Sequence, residues 1–144
     1  MKSKIKFLRL VFTTAVVFFL GAGFTPAPLD IEIDVAPNVL NLANQGEVVT
    51  IHTDIPYSWI ATDIFDKDNN VKVFLNGIAI DWWKSDNQGN FVAKFYIEAV
   101  KGLVDEFELP VELDLTLVWN STLYGTCTGT QPIKFIDVSA VGKK

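Results

Sequence analysis

Nucleophilic chemistry in this chain would need its only cysteine, Cys127, and its only histidine, His52. Such a pair attacks carbonyl carbons because an adjacent imidazole takes the thiol proton near neutral pH. The flanks of neither residue carry a hydrolase signature. His52 alternates with Val48 and Thr50 as a strand side chain does, and Cys127 reads as a small buried thiol. Cation chemistry has more material. Asp66, Asp68 and Asn70 have the one-three-five spacing of a calcium loop, and Asp86 stands in a second polar loop over residues 85–90. Position six of the first loop is Val71 rather than Gly and position twelve is Gly77 rather than Glu, so it is not an EF-hand. These oxygens are expected to hold calcium weakly at most, and no other cofactor is expected. Asp30, Glu32 and Asp34 crowd one strand face, where charge discourages edge-to-edge aggregation.

The third chemistry is stacking on aromatic rings. Trp82 and Trp83 are adjacent, and in a strand adjacent side chains point to opposite faces. By parity Trp82 joins Ile78 and Ile80 in the core, while Trp83 shares the outer face with Ala79 and Asp81. A flat apolar ring beside polar loops is a surface for sugar rings, which makes Trp83 the candidate ligand-binding residue. Tyr57 joins it, with its ring at a strand edge and its hydroxyl in water. Trp59 and Trp119 fit core positions. Asn120, Ser121 and Thr122 form a glycosylation sequon, expected in the loop after the strand that ends at Trp119.

The chain that must position these residues has 144 of them, 49% hydrophobic and 20% charged, which is one domain with one core. Of the 12 Lys and Arg, four (Lys2, Lys4, Lys6 and Arg9) precede residue 10, whereas the 17 acids begin at Asp30. Without that segment eight basic residues face 17 acidic ones, a net charge of −9, and no basic footprint for nucleic acid is left. Residues 10–24 are uncharged and largely apolar after the basic start, the layout of a secretory signal peptide. The run is shorter than the roughly 20 apolar residues of a spanning helix, so residues 1–24 are read as a leader. Membrane contact follows only if that leader stays uncleaved. The mature protein is expected outside the cytoplasm, whether extracellular, at the cell surface or periplasmic. With one cysteine it folds without an intramolecular disulfide.

Past residue 29 the hydrophobic period is two. Ile31, Ile33 and Val35 alternate with acids, as do Val111, Leu113, Leu115, Leu117 and Trp119 with polar residues. Residues 91–97 carry bulk on both faces, as a central strand does. Further strands are expected over residues 47–53, 57–65, 71–75, 78–83 and 132–138. Asn76-Gly77 between two apolar runs is the strongest hairpin signal, and residues 99–107 alone have room for a helical turn. About eight short strands at this spacing predict an all-β domain over residues 29–139. Its form would be a two-sheet antiparallel β-sandwich of immunoglobulin-like type behind a signal helix, with residues 140–144 as a basic tail.

Several stretches resemble an uncharacterised family of small secreted bacterial and archaeal immunoglobulin-like β-sandwich surface modules. The opening from Ile31 through Pro37-Asn38 to Asn41-Leu42 and Gly46 is similar to their first strand and turn. Leu75-Asn76-Gly77, Trp83-Lys84-Ser85-Asp86 and Gly89-Asn90-Phe91 resemble their hairpin, polar loop and central strand. Leu115-Thr116-Leu117, Leu123-Tyr124-Gly125 and Gly129-Thr130-Gln131-Pro132 resemble their last strands. The resemblance implies export and the fold, and it implies no catalytic residue. Relatives with several aspartates in the polar loop imply calcium there, where this chain has only Asp86. The expected function is a non-catalytic secreted or cell-surface module of structural or adhesion type. Its partners would be surface proteins or glycans, and its alternative role that of a carbohydrate-binding module.

Overall fold

Period-two runs become strands where one side of the run can face a core. The computed structural model describes residues 29–138; the leader and the basic tail lie outside the described residues. The strands are β1 (Ile33–Ala36), β2 (Val39–Asn41), β3 (Val48–Pro56), β4 (Val73–Leu75), β5 (Ile78–Ala79), β6 (Trp82–Ser85), β7 (Asn90–Tyr96), β8 (Val111–Ser121) and β9 (Gly125–Ile136). Two short helical turns, α1 (Tyr57–Ile60) and α2 (Ile97–Lys101), follow β3 and β7. One sheet has the order β1-β3-β7-β6 and the other β2-β9-β8-β4-β5.

The inner faces are the apolar halves of these runs. Val49, Ile51, Phe91 and Phe95 from the first sheet meet Leu75, Leu115, Leu117, Trp119, Ile133 and Phe135 from the second, all buried. Burial of each such side chain stabilises the fold by roughly 2 kcal/mol before the entropy of ordering is subtracted. β7 is an inner strand of its sheet; Val92 has no exposure although it alternates with the inward Phe91 and Ala93, while Tyr96 on the same outer face is exposed.

The sandwich is not wholly antiparallel, because β2 runs parallel to β9. The chain from residue 29 lies along β9 for most of that strand's length. Thr128 N–H donates to Leu29 O, Ile31 N–H to Thr128 O and Lys134 N–H to Asn38 O, while Leu42 N–H reaches Ile136 O at 2.8 Å. Between these points β1 pairs with β3 in the other sheet, and Val35 N–H is held by the Gln131 side chain at 3.0 Å. One stretch of chain thus closes the gap between the sheets.

Three sequence expectations are corrected. Residues 57–65 form no strand; they begin with α1 and continue as a loop. The run 78–83 is divided, with β5 at the edge of the five-stranded sheet and β6 at the edge of the four-stranded one. Alternation cannot be carried through residues 80 and 81, where the chain changes sheets. Trp82 is therefore 44% exposed, opposite Lys94 in the ladder, and Trp83 is the half-buried one, opposite Ala93. The last strand also starts seven residues before the expected residue 132, at Gly125, in a stretch whose glycines and threonines hide the period.

Candidate functional site

At one end of the sandwich α1 and the turn between β8 and β9 come together. α1 is a single turn, pinned by Tyr57 N–H donating to Gly89 O at 2.8 Å and by Ala61 N–H donating to Tyr57 O. Helical spacing puts residues three apart on one side. Ile60 is accordingly buried and Tyr57 is half-buried with its ring stacked on Phe91 at 6.4 Å, while Ser58 and Trp59 face out. Trp59 is 48% exposed and not a core residue; strand parity had placed it with the wrong neighbours.

The facing turn is built by Ser121, whose Oγ accepts from Leu123 N–H at 3.1 Å and Tyr124 N–H at 3.0 Å. Gly125 closes it at φ +74°, where a side chain would be strained. The turn presents Leu123, 69% exposed, and sets the Tyr124 ring 5.4 Å from Trp59 at an interplanar angle of 30°. Tyr124 also meets the edge of buried Trp119 at 6.2 Å, so the outer ring is coupled through it to the core.

Asp63 fixes the distance between the two halves. Its Oδ1 accepts from Lys72 Nζ and, at 2.7 Å, from Thr122 Oγ1; its Oδ2 accepts from Thr122 N–H at 2.9 Å and Trp119 Nε1 at 3.2 Å. Partial burial works against ionisation, but the Lys72 and Thr122 donors outweigh it and hold the carboxyl below the usual Asp range. Between α1 and the turn lies an open cleft of about 420 Å³, with Trp59 as one wall. On the other side of Trp59 a second cleft, of about 300 Å³, reaches Leu29, Ile55 and Trp119.

The residues singled out in the sequence are spread over other parts of the molecule. Trp83 packs edge-on against Phe65 at 5.9 Å and leans on the core, so the exposed ring of the Trp82-Trp83 pair is Trp82, over which Lys94 Nζ sits at 4.9 Å. Residues 66–70 and 86–90 are two copies of one turn. In each, the N–H of the first Asp donates to the carbonyl of the Asn four residues on, and its carbonyl accepts from the N–H of the residue before that Asn, which has positive φ (Asn69, Gly89). Asp66 Oδ1 accepts from the N–H groups of Asp68 and Asn70, and Asp86 Oδ1 from those of Gln88 and Asn90. Asn70 Nδ2 occupies the other oxygen of Asp66, and these bonds lower the Asp66 pKa. Both aspartates are thus turn-forming groups. Among the described residues no group of three or more His, Cys, Asp or Glu side chains is placed to hold a metal ion.

Cys127 lies on the inner face of β9, where burial pushes its thiol pKa up. His52 points outward from β3 beside Asp34 on β1. Inner face of one sheet and outer face of the other are separated by the sandwich itself, about 10 Å between sheets, so the two do not form a pair. Asn120 ends up exposed within β8 rather than in a loop, with its side-chain oxygen accepting from Thr126. No family model, no curated protein and no solved structure matches the chain.

Proposed function

We propose that the chain is an exported, non-catalytic surface module of structural or adhesion type, an immunoglobulin-like sandwich that binds through the end carrying Trp59, Leu123 and Tyr124. The observation that carries this reading is the exposure of Trp59 and Leu123 beside the half-buried Tyr124 on a braced pair of loops. Isolated apolar residues are ordinary on a surface; an aromatic pair held against the core at a cleft is how a binding end is built. The immunoglobulin-like reading is supported by strand order. In immunoglobulin lettering β1-β3-β7-β6 corresponds to A-B-E-D and β2-β9-β8-β4-β5 to A′-G-F-C-C′. In that lettering the loops around Trp59 and Tyr124 are B–C and F–G, which share one end of such domains.

The absence of catalysis is supported by the separate placements of Cys127 and His52 and by carboxylates already engaged as turn and loop braces. Export is supported by the basic and apolar residues 1–24. Fractionation of cells expressing the chain with a C-terminal epitope tests the reading. The protein is expected in the surface or extracellular fraction and to bind isolated cell envelopes in a Trp59-dependent way. Recovery from the cytoplasm overturns export, and turnover of an ester or peptide that disappears in His52→Ala overturns the non-catalytic reading.

A further inference from the structure

Four features of the cleft between α1 and the β8–β9 turn restrict what it can take. Trp59 offers a broad apolar ring that is half open to solvent, and Tyr124 backs it at 5.4 Å and 30°. The indole is thus held in place before anything binds, which removes part of the ordering cost. Ser58, Thr62 and Tyr124 line the same cleft, and their hydroxyls form no hydrogen bond to another described residue. They stand ready as donors and acceptors. The one charged side chain of the lining, Asp63, is occupied by Lys72, Thr122 and Trp119, so no free cation waits for a phosphate or carboxylate. A cleft of about 420 Å³ lies within the range of about 300–1,000 Å³ that holds small molecules.

A ligand for such a cleft must be uncharged, carry hydroxyls around its rim and have a flat face of C–H groups. Those properties together describe a pyranose ring. We infer that this cleft is a binding site for neutral saccharides, with Trp59 as the stacking platform and Ser58, Thr62 and Tyr124 as the hydrogen-bonding rim. The inference rests on the reading of this end as the module's binding end. Trp82, the other exposed tryptophan, lacks this setting: the Lys94 ammonium covers its ring and it stands on an open strand.

The test is a titration of the expressed chain with neutral hexasaccharides of glucose, mannose, galactose and N-acetylglucosamine, followed by tryptophan fluorescence. At least one is expected to give a saturable change with Kd below about 10 mM. Trp59→Ala is expected to weaken it at least about tenfold, Trp59→Phe less, and Trp82→Ala by under about twofold. Circular dichroism melts of each variant establish that it folds. If Trp59→Ala does not fold, the Ser58→Ala/Thr62→Ala double variant replaces it, with the same expected loss. No binding by any of the four sugars, or binding unchanged in these variants, overturns the saccharide inference. Trp59-dependent binding to cell envelopes that the sugars do not compete would leave the module reading standing without the saccharide. Loss of both removes the reading itself.

Discussion

At the residue scale the Asp63 carboxylate exchanges part of its hydration for an ammonium, a hydroxyl, a backbone N–H and an indole N–H, and in doing so ties the loop after α1 to β4's flank and to the β8–β9 turn. Hydrogen bonds to a charged group contribute about 2 kcal/mol, so Asp63→Asn is expected to lower Tm by roughly 10 °C at neutral pH. A calorimetric melt of the variant checks it. The same residue sets an acid dependence. Its pKa is lower folded than unfolded, so its contribution is complete above the unfolded value of about 3.9 and is lost as pH falls through the folded one. Melts between pH 7 and pH 2 are expected to fall more steeply at the acid end in the parent than in Asp63→Asn, with Asp66 responsible for some of the slope that is left. Cys127 permits a second measurement. Buried and with its pKa raised, the thiol is expected to ignore a thiol-reactive dye at pH 8 until denaturant is added. Prompt labelling of the native protein would contradict its placement in β9.

Elements show what the residues alone could not. Gly129 sits where the chain at Ile31 crosses β9; a Cβ there would lie 2.2 Å from Ile31 O, so Gly129→Ala must push the first segment off the strand. Overpacking of this kind costs about 1–3 kcal/mol. Gly77, in the β4–β5 turn at φ +83°, has nothing within 4 Å, and Gly77→Ala should cost only the strain of positive φ, about 1 kcal/mol. Urea titrations of the two variants are expected to rank them in that order. The strands that alternate cleanly, β1, β3, β7 and β8, were legible from period alone, as were the Asn76-Gly77 turn and the helical turn near residue 99. The candidate site was not. Its tryptophan lies on a single helical turn too short to show a 3.6 period, and parity assigned it to the core. The Trp82-Trp83 reading failed for a related reason, since alternation holds within a strand and not across a change of sheet. A loop after Trp119 was expected, but nothing in its residues indicated that Tyr124 would meet Trp59.

For the whole molecule, calcium is expected to matter little. The Asp66 and Asp86 carboxylates are engaged with their own turns, so melts with millimolar calcium and with chelator at equal ionic strength should agree within a few degrees. A large shift abolished by Asp68→Ala would reverse that conclusion. The two ends of the domain are arranged with a more distinctive result. Residue 29 enters beside Thr128, near the start of β9, and the chain leaves past Ile136; at a strand rise of about 3.3 Å per residue these points are roughly 26 Å apart. The entering segment and β9 run the same way, with their hydrogen bonds lying across that line. A pull applied between the two ends therefore drags the segment and the strand past each other. The bonds from Leu29 to Leu42 share the load in shear and must give together, whereas a hairpin pulled from its open end gives one bond at a time. Loaded through its two chain ends, such a domain resists as a clamp.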